Sequence, residues 1–121
     1  MAVILVVEDE GPVRLLLQQF LEDADHAVLL ATDGRQALRL LEQRRPDLVL
    51  SDIMLPALDG VALCRALKGS PATAAIPVIL MSAVRTHTSA EAGADAFLAK
   101  PFDLDELEAL IRHWLAASSP G

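Results

Sequence analysis

The sequence predicts an α/β domain built on a doubly wound parallel sheet of five strands, with helices on both faces. Three observations predict it. Short apolar runs alternate with stretches of helical period along the whole chain, the pattern of successive β–α units. The strand-like runs are apolar on consecutive residues, as suits strands covered on both faces. Each run then hands over to its loop at a polar side chain, at the edge where such sheets carry their reactive groups.

Val3-Ile4-Leu5-Val6-Val7 is the first buried strand, and Glu8-Asp9-Glu10 places acids at its carboxyl end. Pro12 opens a helix where a missing N–H costs nothing. Val13, Leu16, Leu17, Phe20 and Leu21, at i, i+3, i+4, i+7 and i+8, make one apolar stripe along it. Ala27 to Ala31 is a short second strand. Asp33-Gly34 caps a second helix, with Ala37, Leu38 and Leu41 facing in, that ends near Arg44-Arg45-Pro46, cations at a helix C-terminus. Leu48, Val49 and Leu50 make the third, central strand, which delivers Asp52 to the mouth of a crevice. Gly60 leads into a third helix, with Val61, Cys64 and Leu67 on one face, and Gly69-Ser70-Pro71 stops it. Ile76 to Met81 is strand four, ending at Ser82, and Ala94 to Ala99 is strand five, ending at Lys100-Pro101. Between them Val84 to Glu91 supplies a fourth helical segment. Asp103 begins the last helix with Glu106 as its capping box, and Leu104, Leu107, Leu110, Ile111 and Trp114 form its buried stripe. Residues 1–117 read as one domain and 118–121 as a tail or the start of a linker.

Composition narrows the function. A chain of 121 residues, 53% hydrophobic and 22% charged, can bury one core and is not a disordered one. No apolar run approaches ~18 residues and no basic leader precedes the first strand, so the expectation is a cytoplasmic protein. The single cysteine, Cys64, cannot form an internal disulfide and reads as a buried, inert thiol. His26, His87 and His113 lack the spacing of a zinc site. The net charge of −7 argues against direct nucleic-acid binding and suits a site for a cation.

Glu8 and Asp9, Asp52, Ser82 and Lys100 stand at the ends of strands one, three, four and five. Taken singly each has a plainer reading: a solvated, helix-capping turn, a strand-end serine, a surface lysine. Brought together, three carboxylates repel unless a hard divalent cation compensates them, and Mg²⁺ is such a cation. A hydroxyl and an ammonium beside that cluster fit the oxygens of a phosphoryl group, leaving Asp52 as the nucleophile for an aspartyl-phosphate.

With those residues in view, the chain resembles a receiver domain of the response-regulator family of two-component signalling. The likeness runs in order through Val6-Val7-Glu8-Asp9-Glu10, Ser51-Asp52-Ile53-Met54-Leu55-Pro56, Asp59-Gly60, Ile79-Leu80-Met81-Ser82-Ala83, Ala92 to Leu98 and Lys100-Pro101-Phe102. It implies a flavodoxin-like (βα)5 fold with strand order 2-1-3-4-5. It also implies a signalling domain, not an enzyme, whose Asp52 accepts phosphate from a histidine kinase or phosphotransfer protein. Glu8, Asp9, Asp52 and the Met54 backbone carbonyl would hold Mg²⁺, and Ser82 and Lys100 would meet the phosphoryl group. Ser82 and Phe97 would form the switch, Lys100-Pro101 would be a cis peptide, and the fourth helical segment, strand five and the last helix would be the responding surface. The implied partners are the kinase, an unidentified output partner and a phosphorylation-dependent homodimer, with no direct nucleic acid and no membrane.

Two departures from that family pattern stand out. The interval between Ser82 and Lys100 is about one helical turn short, a turn being ~3.6 residues, and is poor in apolar side chains, so the fourth helix is expected to be shortened, frayed or displaced. Met54 and Val84, two positions past Asp52 and Ser82, cannot orient a water, which predicts slow self-dephosphorylation. The competing readings are a phosphorylation-independent pseudo-receiver, a flavin carrier and an aspartate-nucleophile phosphatase. The last two are disfavoured because Glu8-Asp9-Glu10 would repel a flavin phosphate and Met54 stands where the phosphatase needs a second carboxylate. The chain reads equally as a single-domain regulator or as a piece of a longer protein.

Overall fold

The computed structural model describes residues 2–83 and 93–118. Among these it has five strands and four helices: β1 (Val3–Val7), α1 (Gly11–Asp23), β2 (Ala27–Ala31), α2 (Gly34–Gln43), β3 (Leu48–Asp52), α3 (Gly60–Lys68), β4 (Val78–Ser82), β5 (Ala96–Ala99) and α4 (Leu104–Ser118). All strand pairs are parallel and the order is β2-β1-β3-β4-β5, the flavodoxin-like arrangement expected from the sequence. No helix among the described residues is long and apolar enough to cross a membrane.

Side-chain alternation along the strands divides the interior into two cores. Ile4, Val6, Leu48, Leu50, Ile79 and Met81 pack on one face of the sheet with Leu17 and Leu21 of α1 and Leu107 and Ile111 of α4. Leu5, Val7, Val49, Val78 and Leu80 pack on the other with Ala37 of α2 and Leu63, Cys64 and Leu67 of α3. Each fully buried aliphatic side chain contributes about 1.5–3 kcal/mol, which is why β3 and β4, covered on both faces, are buried at every residue. Cys64 lies wholly inside, and burial raises its thiol pKa.

Helix starts follow local chemistry. The carboxylates of Asp33, Asp59 and Asp103 accept the backbone N–H groups of Gln36, Ala62 and Glu106 at 2.8, 2.8 and 2.7 Å, caps worth about 1 kcal/mol each. Gly60 is required by a close approach. A Cβ there would run into the carbonyl oxygen of Asp52, so only glycine lets α3 begin beneath the end of β3.

Three sequence expectations need correction. β4 begins at Val78, two residues later than the apolar run, because Pro77 has no N–H and the Ile76 N–H closes a turn onto Thr73. β5 begins at Ala96 and not Ala94: Gly93 turns the chain at φ +76°, and the Asp95 carboxylate takes the Val78 N–H. Leu16 is not part of the buried stripe of α1. Leu17 and Leu21 face the core, and Leu16, about 100° round the helix from Leu17, is 52% exposed beside an equally exposed Leu15. Trp114 packs at the margin of its core and is half-buried. The expected short fourth helix, with Val84 and His87, lies outside the described residues.

Candidate functional site

The carboxyl ends of β1, β3, β4 and β5 meet at one mouth. The Glu8 N–H donates to the Ala31 carbonyl at 3.0 Å, so the chain leaves β1 in register, and the Glu8 side chain turns into the interior with no exposed surface. Asp9 points outward and is exposed. Asp52, the last residue of the central strand, is only 5% exposed. The Ser51 hydroxyl donates to the Asp52 backbone carbonyl at 2.9 Å, and the Met54 N–H donates to Asp52 Oδ1 at 3.2 Å. Ser82, fully buried, closes β4 opposite Ala99 of β5, and its carbonyl accepts the Lys100 N–H at 2.9 Å. That register carries Lys100 to the mouth, where the Lys100–Pro101 peptide is cis.

Lys100 ties the acids together. Its Nζ donates to Glu8 Oε1 at 2.9 Å and to Asp52 Oδ2 at 2.8 Å. Ligand oxygens of Glu8, Asp9 and Asp52 all lie within 4.8 Å of one another. At that separation two carboxylates repel by on the order of 3 kcal/mol for an effective dielectric of about 20. Each contact with the ammonium is shorter and so stronger, and Lys100 therefore holds Glu8 and Asp52 side by side. It leaves three negative charges against one positive.

The electrostatics follow. Burial raises the Glu8 pKa, and the hydrogen bonds from Lys100 and from the Glu10 N–H only partly offset it. For Lys100, burial works against the ammonium, but the hydrogen bonds to Asp52 and Glu8 outweigh it and hold the pKa above its ordinary value. The donor set also fits a hard divalent cation: oxygen ligands only, a surplus of negative charge, and one exposed carboxylate at the entrance.

Sequence reasoning missed two supports of this mouth. Arg14, one turn into α1, donates from its guanidinium to the carbonyls of Glu8 at 2.9 Å and Asp9 at 3.3 Å, and so braces the acidic loop. A cavity of about 650 Å³ opens beside the acids, lined by Asp9, Met54, Asp59, Val61 and Arg65 among others, and Met54 is 64% exposed over it. Nothing in the local sequence pairs Arg14 with backbone five and six residues away, although its place one turn past the acids was a usable signal. Phe97 is half-buried against the α2–α3 core, on β5 opposite Leu80.

A parallel sheet of this order, with three acids, a serine and a lysine at its carboxyl edge, defines a receiver-type signalling domain. The chain belongs to the response regulator receiver domain family, whose description matches residues 4–112. It is 42% identical over 119 residues to the response regulator Rre1 of Synechocystis, covering 93% of this chain and 51% of that protein. It is 40% identical over 121 residues to the response regulator MprA of Mycolicibacterium vanbaalenii, covering 97% and 52%. The chain thus spans about half the length of these curated relatives. Among solved structures, the receiver domain of a signal transduction histidine kinase from Syntrophus aciditrophicus superposes with a TM-score of 0.94 at 36% identity, covering 100% of this chain and 95% of that one. The receiver domain of a sensor histidine kinase from Pseudomonas aeruginosa, with a magnesium ion in its active-site cleft, gives 0.88 at 32% identity, covering 95% and 98%.

Proposed function

We propose that this receiver domain is a phosphoacceptor in a two-component system, taking a phosphoryl group on Asp52 from a histidine kinase or phosphotransfer protein. The observation that carries the reading is the buried Asp52 carboxylate, 2.8 Å from the Lys100 ammonium and within 4.8 Å of two further acids. An Asp52 carboxylate oxygen attacks phosphorus, a P–O bond forms, and the donor's P–N bond breaks with its electron pair returning to the imidazole nitrogen. Lys100 follows the developing negative charge on the phosphoryl oxygens, and the Ser82 hydroxyl donates one hydrogen bond to it. Glu8, Asp9, Asp52 and the Met54 carbonyl would hold Mg²⁺, which when bound supplies the positive charge that lets an anion approach this acidic mouth. Ser82 and Phe97 are the switch pair in this reading, and the output is a change at the surface carrying β5 and α4. The site residues favour this over a phosphorylation-independent module, since each acid, hydroxyl and ammonium that the chemistry needs is present.

Intact-mass measurement after incubation with acetyl phosphate tests it. The expected result is one added phosphoryl group that requires both Mg²⁺ and Asp52 and is lost in Asp52→Ala. A folded protein that takes up nothing with Mg²⁺ present contradicts it.

A further inference from the structure

Among the described residues, the densest run of positive charge lies on α2 and just past its end. Arg35 and Arg39, four residues apart and so on one face, are exposed, and Arg44 and Arg45 follow the helix end, exposed too. Four arginines against the single carboxylate of Glu42 give residues 34–45 a charge of +3 in a chain whose total is −7, leaving −10 for the rest. Among the described residues no carboxylate forms an ion pair with any of the four. Like charges at i, i+4 disfavour the helix that carries them, so this stripe is not there for the helix itself.

The surface beside the stripe is hollow. Arg35, Leu38 and Arg39 line a depression of about 450 Å³. Leu38 also lines a second one of about 440 Å³ between α2 and α3, walled by Leu41, Ala66, Leu67 and Thr73, with Glu42 at its side. One half-buried leucine thus joins a basic ridge to a largely apolar groove, and neither depression is lined by the residues assigned to phosphoryl transfer.

We propose that this face docks an acidic amphipathic protein segment, with apolar side chains seated in the α2–α3 groove and carboxylates paired with Arg35 and Arg39. Charge complementarity selects the occupant. Duplex nucleic acid and an anionic membrane also carry negative charge, but both extend beyond one helix onto a chain whose remaining residues sum to −10, and neither supplies side chains for the groove. The proposal is independent of phosphorylation.

The test is an NMR titration of the isotope-labelled chain with a synthetic helical peptide carrying Leu at i, i+3, i+4 and i+7 and Glu elsewhere. Parallel arms use the same peptide with Lys for Glu, the same peptide with Ser for Leu, duplex DNA, and phosphatidylglycerol vesicles. The acidic amphipathic peptide is expected to shift amides of residues 35–42 and 66–73 saturably. Affinity should fall about tenfold in Arg35→Glu/Arg39→Glu and in Ala66→Glu, all exposed positions, with the rest of the spectrum unchanged. Absence of saturable shifts there, equal binding of the lysine or serine peptide, unchanged affinity in the variants, or a response to DNA or vesicles in place of the peptide would each overturn it.

Discussion

Two lysines bracket β5 and are almost equally exposed, Lys68 at 21% and Lys100 at 19%, yet they sit in opposite situations. Lys68, at the end of α3, donates to Asp95 Oδ2 at 2.7 Å and to the carbonyls of Ile76 and Ala74 at 2.8 and 3.2 Å. Asp95 in turn accepts the Val78 N–H at 2.8 Å, so one cation and one anion staple α3, β4 and β5 together with no charge left over. Lys100 faces two carboxylates with a third close by, and its cluster keeps a surplus of negative charge. A part-buried ion pair therefore does not by itself mark a site. What distinguishes the mouth is uncompensated like charge gathered at strand ends.

Removing each lysine separates the two roles. Lys100→Met is expected to slow phosphoryl uptake by about a hundredfold or more, because a charge aimed at the transferring group is lost. Lys68→Met should leave uptake within about twofold and instead cost about 1–3 kcal/mol in urea unfolding, since Asp95 and two carbonyls lose their donor. If both variants lose stability alike and uptake alike, the contrast fails. Lys100→Met should also gain more thermal stability from added Mg²⁺ than wild type does, because its acids have lost their only protein cation among the described contacts.

Glu8→Gln sharpens the comparison from the acid side. The folded pKa of Glu8 is raised, so the carboxylate is harder to keep charged when folded than when unfolded. Its protonation thus stabilises the fold, an effect fully present below the ordinary pKa of 4.5 and lost as pH rises through the raised value. At neutral pH Glu8→Gln should therefore melt higher than wild type in the absence of Mg²⁺, with the gap closing as pH falls toward 4.5, while its Mg²⁺ affinity drops. A lower melting temperature for the variant at every pH contradicts that sign. The smallest effect concerns lifetime: Met54→Asn should speed hydrolysis of the aspartyl-phosphate by less than about tenfold, because an amide can orient a water but supplies no base. A variant that hydrolyses no faster removes the argument from Met54.

Much of this was legible in the sequence because it is local. The continuous apolar runs of β1, β3 and β4 pointed to a sheet covered on both faces, and Glu8, Asp9, Asp52, Ser82 and Lys100 stood out as polar groups at strand ends, whereas the roles of Met54 and Phe97 came only with the family resemblance. The Asp33 and Asp103 caps follow from the same short-range chemistry, whereas the strand order came only with the family resemblance. What was not legible is long-range or angular. Asp95 reads as one residue of a short strand until the fold places it against Lys68, 27 positions away. The start of β4 turned on Pro77 lacking a donor, and the exposure of Leu16 on a rotation of one residue about a helix that the apolar spacing alone could not decide. Arg14 bracing the acidic loop needed the loop's path, not its composition.

The most direct test of the central claim is to locate the modified residue itself. Wild-type protein phosphorylated with acetyl phosphate and Mg²⁺, then reduced with borohydride, converts an acyl phosphate to the corresponding alcohol, which peptide mass mapping can place. The account predicts homoserine at position 52 and nowhere else. Reduction at Asp9 or Asp59, or a phosphoryl group that resists borohydride and maps to another side chain, would contradict it.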